Sequence, residues 1–134
     1  MKKFETLEHK ADLRIRVSGG SKEELFENAL IGMFEGAGYQ GKGKEEKRKI
    51  RVSSPDSTSL LVDFLSEALY LSEVNREVYR QVKFGRLTDK DAFGTLIGKR
   101  LGKVGEQVKG VTYHGLEVSR EKGKGWEATI LFDI

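Results

Sequence analysis

The apolar residues change period along this chain, and that change restricts the fold more than any single motif. Leu13, Ile15 and Val17 alternate with Arg14 and Arg16, the period of two that a strand with one wet face requires. Leu25, Phe26, Ala29, Leu30, Met33 and Phe34 then recur at helical spacing, as do Leu60, Leu61, Phe64, Leu65, Ala68, Leu69 and Leu71. Each set makes an apolar stripe along one side of an α-helix. From Glu77 onward the β pattern returns over residues 78–86, 93–101, 108–120 and 125–133, separated by Asp, Lys and Gly turns.

Local signals place the helix ends. Ser21-Lys22-Glu23-Glu24 is a capping box, in which the Ser21 hydroxyl accepts a helix amide and Glu24 reaches back to the cap. Gly36 and Gly38 supply left-handed residues to stop that helix. Ser54-Pro55-Asp56-Ser57 joins capping side chains to a proline suited to a first helical turn, so the second helix starts there. A short strand is expected just before it, at residues 49–53. The spacing predicts an α+β fold: a two-layer single domain over residues 1–134, with two helices packed on a mixed, mostly antiparallel sheet.

A chain of 134 residues suits one domain with a real core. No apolar run approaches the length of a bilayer span. The N-terminus lacks an apolar signal core, which points to the cytoplasm. The absence of cysteine excludes disulfides, thiolate metal sites and cysteine nucleophiles, so any metal here is expected on oxygen ligands. The densest basic stretch, residues 42–51, begins among Gly41 and Gly43 and reads as a solvated linker.

No nucleophile elbow, phosphate-binding loop, dinucleotide fingerprint or zinc-binding helix motif is present. The glycines between Gly94 and Gly105 match no phosphate cradle and read as strand and turn residues. Asp63 and Glu67 lie four apart along one helix flank and read as solvated carboxylates. The chain end carries more information. In the last strand Trp126, Ala128, Ile130, Phe132 and Ile134 share the core side, so Glu127, Thr129, Leu131 and Asp133 point the other way. Asp133 and the terminal carboxylate of Ile134 then put two anionic oxygen groups at one strand tip, the donors that hard divalent cations prefer. If that tip lies beside Asp12, three carboxylates meet and their repulsion favours a cation. The competing reading pairs Asp12 with Arg14 or Arg16.

Three segments resemble the archease family: Leu7-Glu8-His9-Lys10-Ala11-Asp12, then Val108-Lys109-Gly110-Val111-Thr112-Tyr113-His114-Gly115-Leu116-Glu117-Val118, and Trp126-Glu127-Ala128-Thr129-Ile130-Leu131-Phe132-Asp133-Ile134. Phe26-Glu27-Asn28-Ala29 and Leu65-Ser66-Glu67-Ala68-Leu69-Tyr70-Leu71 resemble the family's two helices. The chain departs from the pattern at Lys10, where a threonine is usual, at Gly110, where an alanine is usual, and in residues 94–107, which lack an acidic, histidine-containing stretch. The resemblance implies a non-catalytic accessory protein that activates the GMP-dependent RNA ligase of tRNA splicing. It would promote guanylylation of the ligase histidine and multiple turnover, meeting tRNA through the ligase and involving no membrane. It also implies that Asp12, Asp133 and Ile134 hold a divalent cation, assigned as calcium in the family, with magnesium or manganese as alternatives. His9 and His114 would at most orient that site. The alternative is a chaperone-like or RNA-binding modulator of tRNA-modifying enzymes.

Overall fold

The computed structural model describes residues 3–7, 12–121 and 125–134, with backbone alone for residues 113–117 and 121. Among the described residues the order is β1 (Phe4–Leu7), β2 (Asp12–Gly19), α1 (Lys22–Gly36), β3 (Gln40–Ser53), α2 (Ser57–Asn75), β4 (Glu77–Leu87), β5 (Asp91–Lys103), β6 (Gly110–Glu121) and β7 (Gly125–Asp133). The protein is α+β, and the strands divide into two sheets. One has the order β1-β2-β7-β6 and the other β3-β5-β4. Every pairing is antiparallel, so the parallel component allowed by a mixed sheet is absent among the described strands.

Both helices begin where their caps place them. The Ser21 hydroxyl accepts from the Glu24 amide at 3.1 Å, and Glu24 receives the Gly20 amide at 3.3 Å, so the reciprocal bond lands one residue ahead of the cap. Gly38, at φ 78°, follows the end of α1. Asp56 caps α2 by accepting from the Ser59 amide at 2.8 Å, and that bond holds its carboxyl below the usual carboxylate range. At the other end of α2 the backbone turns through Arg76, the one described non-glycine residue at positive φ (56°).

The helical stripes and the inward faces of both sheets make one core. Leu25, Phe26, Leu30, Phe34, Leu60, Phe64 and Leu65 are fully buried with Ile15, Val17, Ile130 and Phe132. Burying a side chain of this kind contributes roughly 1.5–3 kcal/mol. Phe26 of α1, Phe64 of α2 and Phe84 of β4 join the layers, with ring centroids 5.5 to 6.1 Å apart. Polar bonds fix α1 to both sheets. The Asn28 amide donates to the Ser18 carbonyl of β2 at 2.8 Å, and the Glu27 carboxylate accepts from the Val82 amide of β4 at 3.0 Å.

The basic stretch expected as a linker is a correction. Residues 42–51 lie inside β3, which starts nine residues before the strand expected at residues 49–53. Most of β3 is exposed and Ile50 alone is buried, so it carries almost no apolar alternation. The ladder with β5 makes it a strand, with irregularities at Gln40/Gly41 and Lys42/Glu45, and Gly43 takes φ 83° at the second of these. Lysines suit such a strand because it forms a sheet edge, where charge discourages pairing with another chain. Gly94, Gly98 and Gly102 lie in β5, as their strand reading required.

Candidate carboxylate site

The register of β2 against β7 runs from Gly19 opposite Trp126 to Asp12 opposite Asp133. Leu13, Ile15 and Val17 face the core, as do Ala128, Ile130 and Phe132; Asp12 and Asp133 therefore share the outer face at one end of the sheet. Directly opposed residues hold their Cβ atoms about 4.5–5.5 Å apart, and like charges so placed repel. Asp12 is half-buried and Asp133 exposed.

Backbone pairing holds the tip. The Lys109 amide donates to the Asp133 carbonyl at 2.7 Å. On the side away from Asp12, Gly110 of β6 is opposite Asp133. A methyl group on Gly110 would meet Asp133 Oδ2 at 3.7 Å, an ordinary contact, so glycine here is no steric requirement. Ile134 follows directly and packs, half-buried, against the core, which anchors the tip beside the aspartate pair.

The Arg16 guanidinium lies 3.6 Å from Glu5 of β1 and 3.9 Å from Glu127 of β7, a row of exposed charges farther along the same face. Of the histidines, His9 lies outside the described residues, and of His114 only its place within β6 is described. Among the described residues no three histidine, aspartate or glutamate side chains converge on a metal-sized space. Two aspartates supply hard, anionic oxygens that fit calcium, magnesium or manganese better than softer metals, and full coordination would draw on further oxygens. On the flank of α2, Asp63 accepts from the Ser54 hydroxyl at 2.5 Å, so it buttresses the start of the helix.

Two polar clusters had no sequence signal. Arg48 of β3 makes a bidentate pair with Glu77 of β4, both distances 2.8 Å, and the Tyr79 hydroxyl donates to the same carboxylate at 2.8 Å. Glu77 is 3% exposed, and Arg48 holds its carboxyl below the ordinary range. Burial, followed by the bond to Glu77, pushes the Tyr79 phenol well up. The second cluster centres on Lys22, which is 8% exposed. Its ammonium donates to the Thr88 carbonyl, the Ser57 hydroxyl and Asp89 at 2.6, 2.8 and 3.1 Å, joining the starts of both helices to the β4–β5 turn.

These residues lie in a chain whose residues 4–134 match the model of the Archease protein family (MTH1598/TM1083). The chain belongs to the archease family. Protein archease of Methanosarcina barkeri is 34% identical, covering 99% of this chain and 97% of its own. That of Pyrococcus abyssi is also 34% identical, with both chains covered in full. The solution structure of Methanobacterium thermoautotrophicum protein 1598 superposes with a TM-score of 0.68 at 27% identity, over the full length of both chains. The crystal structure of a Thermotoga maritima protein described as an archease and possible chaperone has a TM-score of 0.71. It covers 96% of this chain and 94% of its own at 23% identity, which establishes likeness of fold.

Proposed function

We propose that this archease is a non-catalytic accessory protein that activates a GMP-dependent RNA ligase of tRNA splicing, promoting its guanylylation and repeated turnover. The observation that carries the reading is the placement of Asp12 directly opposite Asp133. Two carboxylates held at one sheet end by backbone pairing form a preset donor pair, and the terminal carboxylate of Ile134 is proposed as a third donor. A divalent cation, when bound, neutralises charge on nucleotide phosphates. The chain's own task is to present its oxygens in fixed geometry at an exposed tip, where a partner's metal-rich active site can be reached. Asp12 and Asp133 would hold the ion while Ile134 anchors the strand.

The test is ligation by the cognate ligase with RNA in excess, comparing no addition, wild-type protein and Asp12→Ala. Stimulation by the wild type alone is the expected result, with the variant shown to be folded by its unfolding curve. Equal stimulation by both proteins would remove the carboxylate pair from the mechanism. No stimulation by either would favour the chaperone-like or RNA-modulating reading, which the description of the Thermotoga protein as a possible chaperone supports.

A further inference from the structure

The β3-β5-β4 sheet carries a basic pocket remote in sequence from the aspartate tip. Lys42, Lys44 and Arg48 come from β3, Arg100 from β5, and Arg76 and Glu77 from the junction of α2 and β4. Lys42 is opposite Arg100, and Arg100 is in turn opposite Glu77, so this row crosses all three strands. With strands about 4.8 Å apart, the row spans about 10 Å. The irregularity between Lys42 and Glu45 brings the exposed Lys44 to the same rim.

Five cationic side chains here meet two carboxylates, Glu46 and Glu77. The pocket thus carries a formal excess of three positive charges. Glu77 is already engaged by Arg48 and Tyr79. That engagement orients the guanidinium: Nε and Nη2 face Glu77, which leaves Nη1 for another acceptor. None of the ion pairs among the described residues uses Lys42, Lys44, Arg76 or Arg100. At the end of α2, the Leu71 carbonyl accepts from Asn75, Ser72 from the Arg76 amide, Arg76 from the Leu101 amide and Glu77 from the Ser72 hydroxyl.

The pocket has a volume of about 560 Å³ and no aromatic or aliphatic side chain in its lining. It therefore offers no aromatic ring for a nucleobase, and its cationic lining favours phosphate groups. Edge protection explains lysines along β3, but not the convergence of three elements or a guanidinium aimed by a buried carboxylate. We propose that this pocket binds a run of phosphate groups, as the backbone of a nucleic acid presents them, without regard to sequence. The inference does not depend on the aspartate pair or on the ligase.

Fluorescence anisotropy of a labelled 12-nucleotide RNA, titrated with protein over a range of salt concentrations, tests it. Lys42→Ala/Arg100→Ala removes two cations while sparing the Arg48–Glu77 pair. Arg76→Gly removes a third at a position whose φ of 56° glycine adopts freely. The double variant should weaken binding about tenfold or more near 0.1 M salt and flatten the logarithmic salt slope by about 1.4, roughly 0.7 per lost phosphate contact. Lys83→Ala/Lys90→Ala, which removes the same charge at exposed lysines outside the pocket, should change affinity less than about twofold by comparison. Equal losses in both double variants would overturn the assignment, as would absence of RNA binding by folded wild-type protein. Competition by inorganic triphosphate, phosphate for phosphate as effective as RNA, would overturn the strand and leave a polyphosphate site.

Discussion

The two sheets treat charge in opposite ways. At the end of β2 and β7, two like charges are set directly across a ladder on the outer face. In the other sheet, a buried carboxylate is matched by a bidentate guanidinium and a phenol. Cross-strand repulsion acts on the first pair, whereas hydrogen bonding compensates the buried charge in the second. A like-charge pair on an outer face and a matched charge in the core thus place opposite demands on stability.

The largest test of that contrast is Glu77→Ala, which leaves the buried Tyr79 hydroxyl without its acceptor and opens space beneath Arg48. A loss of about 3 kcal/mol in urea unfolding is expected. The pH dependence follows from the same group. Because the folded-state pKa of Glu77 is lowered, its stabilisation is present above the unfolded value near 4.3 and disappears as pH falls through the lower folded value. Wild-type protein should lose more stability than Glu77→Gln on acidification below about pH 5.

Lys22→Met should cost less, about 1–2 kcal/mol by thermal unfolding, because its partners Ser57 and Asp89 can turn to water while the Thr88 carbonyl loses a donor. The smallest change is expected at the aspartate tip. In metal-free buffer Asp12→Asn should leave stability unchanged or raise it by a few tenths of a kcal/mol, since one of two opposed charges is gone. A loss comparable to that of Glu77→Ala would make Asp12 a structural residue and erase the contrast between the sheets. Extending the chain beyond Ile134 with a short tag should weaken divalent-ion binding in a calorimetric titration, because the terminal carboxylate becomes an amide. Unchanged affinity would remove Ile134 as a donor.

The elements with two unlike faces were legible in the sequence. α1 and α2 announced themselves through caps and apolar stripes, and β7 through strict alternation ending at Asp133. Residues 42–51 read as a linker, and only the end of β3 as a strand, because a strand with one buried residue has no periodicity to display and its partner β5 lies some fifty positions away. The faces of Asp12 and Asp133 followed from alternation within each strand, but their opposition depended on a register that sequence spacing leaves open. Arg48 and Glu77 are 29 residues apart and meet only through tertiary packing, as do Lys22 and Asp89. Long-range polar pairing has no local signature, so the basic pocket and both clusters emerged only with the fold.

Isothermal titration of calcium into metal-stripped wild type, Asp12→Asn and Asp133→Asn tests the central claim most directly. One ion per chain is expected for the wild type, with at least about a tenfold loss of affinity in each variant, because an anionic oxygen ligand is replaced by a neutral amide. The same affinity and enthalpy in all three proteins would contradict it.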